Sequence, residues 1–474
     1  MSKSKRKILV LITDGVSLRN FAYTSFYKKG QQNNCEVIFW NSTPFDLSDL
    51  GINQIPLTKS RLHKYTTVLK NVRKRIELNC YRKRFKDPIY SKYAFPLPFN
   101  TTKNKIKSAI TKILIVLFNS EKGLSFIRNQ ICRLESSSEY YKSCKIVLET
   151  YKPDLIYCTS QRSALAIAPV LAAKELKIPT IGFIYSWDNL PKATLDVVTD
   201  FYHVWSNHMK EEVLKYQPFI SENQVTVTGT PQFEPHFNTE EIIPKASFYK
   251  TYKLNSDKTY ICYSGDDITT SPKDPLYLRD VALAVRKLNK KGHKLGLIFR
   301  RCPVDVSNRY DLVINEFEDI IVPIEPVWKA EGQVWNTILP TKDDSILLAS
   351  LATHSAIVIN LGSSMVFDYA IHNKPCMFMN YNYFNSKEQP QEGAHVYDYV
   401  HFRSKPSEDA VCWLNHPDEI SGKIKILLKD SSKTVNAANQ WFNVINKQPA
   451  NKASSSIWKG INAVLNEYKV DKKV

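Results

Sequence analysis

At 474 residues the chain is too long for one ordinary domain, and two or three hydrophobic cores are expected. A hydrophobic fraction of 43% and the scarcity of low-complexity sequence exclude a disordered chain, and no apolar run approaches the roughly 18–20 residues that span a bilayer. Nine scattered cysteines without a CxxC pair exclude a disulfide framework or zinc site and fit reduced thiols in a cytoplasmic protein; the basic N-terminus MSKSKRK precedes no signal-peptide pattern.

In chain order, KILVLIT (7–13) reads as a buried strand, followed by a polar loop, a helix near 18–30 and a second strand EVIFWN (36–41). The net charge of +19 is concentrated next: Lys59 to Lys112 holds sixteen Lys or Arg against Glu77 and Asp87. This basic helical insertion, near 58–118, has three competing readings. It is a solvated insertion, an amphipathic surface for anionic lipid headgroups, or a nucleic-acid surface. Nucleic acid is the weakest of these, because no helix-turn-helix, RNP, KH or zinc-finger pattern accompanies the charge. A long helical region (122–151) follows, then strand DLIYCTS (154–160), the apolar helix SALAIAPVLAAKELK (163–177), and strands at 180–186, 202–207 and 225–229.

The Pro-rich polar segment TPQFEPHFNTEEIIPK (230–245) reads as a linker, after which the alternation restarts. Strands are expected at 259–265, 294–300, 319–325, 355–360 and 375–381, and a helical tail over 418–468 has Trp441 and Trp458 as anchors. Strands alternating with helices of 10–15 residues indicate parallel βαβ units. The expected fold class is α/β, with two doubly wound Rossmann-like domains facing across a cleft. The expected domains are 1–232, which includes the basic insertion, and 246–430, with helices of 431–474 packing back toward the first.

Ligands of such sheets bind at the carboxyl ends of the strands, so the strand-to-helix loops carry the chemistry. In the second half, INLGSSMVFDYAIHNKP places Gly362, Ser363 and Ser364 at a strand end opening a helix, an anion-binding arrangement. Asp368 lies four residues after Ser364, one turn further on the same face, too late for a capping box and suited to a ribose diol. Ser264-Gly265 in YSGDD and Arg300 in LIFRRCP leave the same sheet edge and add a tight turn and a diphosphate partner. In the first half, TDGVSLRNF gives Asp14, Arg19 and Asn20, and YSWDNLPKATLD gives Trp187, Asp188 and Asn189. Asp14 and Asp188 are the candidate general bases, with Asp14 preferred, and the other four are candidate acceptor contacts. His354 and His208 are weaker candidates. A P-loop, a well-placed GxGxxG, a nucleophile elbow and metal-ligand spacing are all absent from the sequence.

With these residues in place, the chain resembles bacterial glycosyltransferases of the GT-B fold used in surface-carbohydrate synthesis. YSWDNLPKATLD, VWSNHMKEEVLKY, VTVTGTPQFEP and GSSMVFDYAIHNKP carry the resemblance. The last is also similar to CDP-glycerol glycerophosphotransferases, which implies phosphate contacts at Ser363 and Ser364 and a nucleoside contact at Asp368. The chain departs from that second family at Leu361-Gly362, where an Asp-Tyr pair is typical, and at Cys302, which replaces a His. Both departures favour sugar transfer over phosphoryl transfer.

The resemblance implies a metal-independent glycosyltransferase, with a nucleotide-sugar as co-substrate and no cofactor. The acceptor would be a polysaccharide or lipid-linked glycan, and the location the cytoplasm or the inner face of the plasma membrane, with the basic insertion touching anionic lipid. Three other readings compete: a CDP-glycerol-type transferase, a UDP-sugar 2-epimerase, and a non-catalytic lipid- or nucleic-acid-binding protein. The Arg-Pro-Glu that follows the first strand of such epimerases is replaced here by TDGVSLRN.

Overall fold

The computed structural model describes residues 5–330, 338–383 and 393–471. The chain divides into two compact units, Met1–Pro231 with Asn446–Val474, and Gln232–Ile445. Both are Rossmann-like.

The first unit is built on seven strands: β1 Arg6–Ile12, β2 Cys35–Asn41, β3 Gln54–Pro56, β4 Leu155–Cys158, β5 Thr180–Phe183, β6 Phe201–Val204 and β7 Val225–Val227. They run parallel in the order β3-β2-β1-β4-β5-β6-β7. Parallel strands covered on both faces need continuous apolar sequence, and Ile8 to Ile12 of β1 are fully buried. The strand order reverses between β1 and β4, so the loops after these two strands flank the position where such sheets bind ligands. The helical region expected over 122–151 is two helices, Glu121–Ser136 and Glu139–Tyr151, with Ser138 capping the second by accepting from Tyr141 N at 3.0 Å.

The basic insertion folds into two longer helices, Thr66–Phe85 and Thr102–Phe118. The first corrects the picture of a uniformly solvated or ligand-facing stretch. Val72, Ile76 and Cys80 join the same core cluster as Ile127 and Ile131, and Arg73 and Glu77 go with them at 2% and 1% exposure. Buried charges persist only when paired and hydrogen-bonded. Glu77 Oε2 pairs with Arg73. Its Oε1 accepts from Arg128 Nη2, Tyr81 Oη and Gln217 Nε2, each at 2.8 Å. Arg73 Nη2 also donates to Asp196 at 2.7 Å and to the Ala193 carbonyl at 2.9 Å. The C-terminal helix Ala453–Asp471 closes this unit: Trp458 stacks on Phe26 at 5.1 Å and donates to its carbonyl at 2.8 Å.

The second unit has a six-stranded parallel sheet of β8 Thr259–Ser264, β9 Leu295–Arg300, β10 Ile321–Pro323, β13 Ile357–Asn360, β14 Cys376–Met379 and β15 Cys412–Leu414. A separate antiparallel ribbon pairs β11 Trp328–Ala330 with β12 Ile338–Pro340. The sheet order β10-β9-β8-β13-β14-β15 again reverses once, between β8 and β13. Three-residue strands such as β15 carry too little pattern to be expected from sequence. The segment expected as a linker is packed instead. Pro231–Phe237 forms a 3-10 turn, in which Phe233 is fully buried against Phe442 at 4.9 Å and His236 is 4% exposed. Trp441 is fully buried, edge-on to Phe367 at 4.9 Å, with its indole N–H donating to Ser404 Oγ at 3.0 Å. Among the described residues no helix is long and apolar enough to cross a membrane.

Candidate functional sites

In the first unit, Leu11 of β1 lies opposite Cys158 of β4, and Thr13 and Ser160, two residues further on, lie just beyond the two strand ends at the reversal point. Three buried polar atoms gather on these two segments without a hydrogen-bond partner among the described residues: Thr13 Oγ1, Ser160 Oγ and Asn20 Nδ2. Buried polar groups are nearly always satisfied, and the place of these three at the reversal point makes them candidates for bonds to water or a ligand. Asn20 sits in a π-helical turn, Leu18–Ala22, a conformation concentrated at functional sites, and its Oδ1 accepts from Arg19 Nε at 3.2 Å. Asp14 caps the short helix Gly15–Ser17 just before it: Oδ1 accepts from Ser17 N at 2.8 Å and Ser17 Oγ at 2.9 Å.

The loop after β5 differs from expectation. Asp188 accepts from Ser186 Oγ at 2.6 Å and Asn189 Nδ2 at 2.9 Å, and pairs with Lys192. Trp187 is 7% exposed and Asn189 2%, the latter held by Gln161 Nε2 at 2.8 Å. These two residues therefore shape the loop from within and offer no open platform. Hydrogen-bond bookkeeping favours Asp14 over Asp188 as a base.

Sequence reasoning missed several residues here. Arg162, on the loop after β4, donates to Tyr185 Oη at 2.9 Å, and inspecting the CTSQR strand end would have found it. Lys74 reaches the same neighbourhood from the basic insertion: burial, reinforced by Arg162 and Lys192, lowers its pKa to about 8. Nothing in the sequence distinguishes it from its solvated neighbours. Glu212, on the Asn207–Tyr216 helix after β6, is buried, with Oε2 unpartnered among the described residues and Oε1 3.8 Å from His208 Nε2.

Burial pushes the Glu212 carboxyl up to about 8, with the Asp188 charge adding to the effect. It is protonated at neutral pH in the folded chain and ionised above about 4.5 in the unfolded one. Between these values the folded chain holds the extra proton, so stability falls as pH rises, by up to about 1.4 kcal/mol per unit. Glu212→Gln is expected to gain on the parent protein between pH 5 and pH 8 and to level off above. Urea unfolding across that range reads the difference, and a constant difference would contradict the assignment.

In the second unit, β9, β8 and β13 are neighbours, so the loops carrying Arg300, Ser264-Gly265 and Gly362–Ser364 leave one edge, the last two flanking the reversal point. Gly362 has φ +73°, and a Cβ there would meet Phe402 and Val396 at 3.1 Å, so glycine is required by backbone conformation and by packing. Asn360 Oδ1 shapes the turn by accepting from Ser363 N at 2.9 Å. The following helix is only Met365–Ile371. Gly265 is also closed from one side, since a Cβ would lie 2.9 Å from Tyr310 Oη. Ser264 ends β8 opposite Arg300 and is half-buried.

In this unit Arg300 and Asp368 are both engaged within the protein, which corrects the expectation of a free diphosphate partner at Arg300. Arg300 is 5% exposed and its Nη2 donates to both oxygens of Asp344 at 2.9 Å, so a diphosphate would compete with an internal ion pair; its Nη1 has no partner among the described residues. Asp368 is buried, and its Oδ1 accepts from His236 Nε2 at 2.9 Å, while His236 Nδ1 meets His372 Nε2 at 3.0 Å. Burial and the neighbouring His236 lower the pKa of His372 to about 4, so it is neutral at pH 7. Asp368 is thus aligned by a buried imidazole delivered by the supposed linker. His354 Nε2–H donates to the Ile243 carbonyl at 2.6 Å, and the residue is structural. Among the described residues no group of three or more His, Cys, Asp or Glu could hold a metal ion.

No family model and no curated protein sequence matches the chain. Solved structures do. A putative UDP-N-acetylglucosamine 2-epimerase from Listeria monocytogenes is similar at TM-score 0.56 and 12% identity, covering 98% of this chain and 97% of that one. MnaA of S. aureus, solved with UDP, matches at TM-score 0.53 and 14% identity over 97% of both chains. A glycosyltransferase from Rickettsia africae matches at 0.51 and 13%, over 97% of this chain and 99% of that one. The chain has the GT-B fold. Identities this low speak for the fold alone, and any chemistry rests on the strand-end residues of the two sheets.

Proposed function

We propose that the protein is a glycosyltransferase that moves a sugar from a nucleotide-sugar to a hydroxyl of a cell-surface polysaccharide or lipid-linked glycan. The observation that carries this reading is the Ser264-Gly265 and Gly362–Ser364 pair of turns on the two strands that flank the reversal point of the second sheet. There the backbone and the serine hydroxyls take the diphosphate, and Asp368, oriented by His236, takes the ribose. The first unit binds the acceptor through the unpartnered groups of Thr13, Asn20 and Ser160, with Arg19 beside them. Lys74 and Arg162 suit an anionic acceptor such as a lipid-linked phosphate.

In the reaction, Asp14 accepts the proton of the acceptor hydroxyl as its oxygen bonds to the anomeric carbon. The bond from that carbon to the diphosphate oxygen breaks, and the nucleoside diphosphate leaves. The leaving charge is met by backbone and serine donors, without a metal or other cofactor. The reaction is placed in the cytoplasm or at the inner face of the plasma membrane.

A 2-epimerase is the second reading, favoured by the description of the Listeria structure. The two differ in what happens to the donor. Incubation with UDP-, GDP-, CDP- and dTDP-linked sugars, with and without a glycolipid extract, is expected to release nucleoside diphosphate only with the extract. Conversion of a donor to its 2-epimer without any acceptor would replace the transferase with the isomerase.

A further inference from the structure

The second helix of the basic insertion, Thr102–Phe118, packs Leu114, Ile115 and Phe118 against the core and turns a second apolar stripe to solvent. Its small polar residues point inward: Ser108 and Thr111 are 2% exposed, Ser108 Oγ donating to the Pro98 carbonyl at 2.7 Å and Thr111 Oγ1 to that of Lys107 at 2.8 Å. Five other large apolar residues point outward: Ile106, Ile110, Ile113, Val116 and Leu117 are 57%, 45%, 59%, 78% and 68% exposed. Ile106, Ile110, Ile113 and Leu117 follow the i, i+4, i+7, i+11 spacing of one helical stripe. By the same geometry Lys103 and Lys107 border the stripe on one side, and Lys105 and Lys112 on the other. Phe95 and Phe99, 62% and 45% exposed, precede the helix, and the Lys112 ammonium lies 4.8 Å from the Phe99 ring centroid. An apolar surface of this extent has a covering partner.

We propose that this helix lies in the interface of an anionic lipid bilayer, its isoleucine stripe and Phe95 and Phe99 among the upper acyl chains and its four lysines at the headgroups. Charge selects the occupant. A second copy docking stripe to stripe would bring lysine margins together, and a nucleic-acid backbone would gain nothing from the apolar stripe. Negative headgroups above an acyl layer satisfy both parts of the surface. The helix is tied to the rest of the unit: Arg75 of the first insertion helix pairs with the Phe95 carbonyl, and Lys74 lies 5.8 Å from the Phe95 ring centroid. The bilayer would therefore lie next to the Lys74–Arg162 region, where a lipid-anchored acceptor presents its headgroup. The docking itself does not depend on the transferase reading.

The test is flotation of the full chain with vesicles of phosphatidylcholine alone or with phosphatidylglycerol, at low and high salt and without nucleotide-sugar. Binding is expected to need phosphatidylglycerol and to weaken with salt. Combining Ile110→Glu with Ile113→Glu, or changing all four lysines to Gln, is expected to reduce it at least tenfold, with melting unchanged because these side chains face solvent. The tryptophan of Ile113→Trp is expected to shift to the blue on vesicles. Binding to neutral vesicles alone, full binding by both variants, a dimer broken by the isoleucine substitutions, or nucleic-acid binding in place of lipid would each overturn the proposal. Because no donor is present, such a failure leaves the assignment of the second unit standing.

Discussion

Replacing Glu77 by Ala is expected to cost about 3–5 kcal/mol of stability. The carboxylate is 1% exposed and is the common acceptor for two guanidinium groups, a phenol and an amide. Its removal leaves Arg73 without its nearest counter-charge, and Asp196 is the only acid of this network still paired with that guanidinium. A double substitution of Arg73 and Glu77 by Met is expected to recover most of the loss, because well-packed apolar replacements of a buried ion pair are often neutral. Urea unfolding of both variants measures this. A loss below about 1 kcal/mol for Glu77→Ala would show that the network is dispensable. The same network anchors the helix that carries Lys74.

The second large effect concerns the donor. Asp368→Ala is expected to weaken nucleotide-sugar binding by about 1.5–3 kcal/mol, the range for hydrogen bonds to a charged group, roughly ten- to a hundredfold. It also leaves the His236 N–H without its acceptor in a buried site, a cost of about 1–3 kcal/mol in stability. Asp368→Asn separates the two. Its side-chain oxygen still accepts from His236, so stability is expected to stay near that of the parent while binding falls. A His236→Ala variant, which leaves the carboxylate but not its orientation, is expected to bind more weakly than the parent.

The two sheets were legible because buried parallel strands must be continuous apolar runs, as in KILVLIT and TYICYSG, punctuated by loops and amphipathic helices. The strand ends carrying Asp14, Ser264 and the Gly362–Ser364 turn followed from that alternation. What the sequence hid were contacts made at a distance. His236 lies in a stretch whose prolines and polar residues announce a loop, and only the burial of Phe233 against Phe442 pins it under Asp368. Arg73 and Glu77 read as two more charges in a basic run, yet an i, i+4 pair whose members each follow an apolar residue, Val72 and Ile76, becomes buried once those neighbours enter the core. The Thr102–Phe118 helix has apolar residues toward both core and solvent, and its period alone does not say which face meets the protein.

The central claim, that the second unit holds a nucleotide-sugar at Gly362–Ser364 and Asp368, is tested most directly by calorimetric titration of UDP-, GDP-, CDP- and dTDP-linked sugars into the parent protein and Asp368→Asn. The account predicts saturable one-to-one binding of at least one donor by the parent, weakened at least about tenfold in the variant. Binding that is unchanged in the variant, or no binding of any nucleotide-sugar, would contradict it.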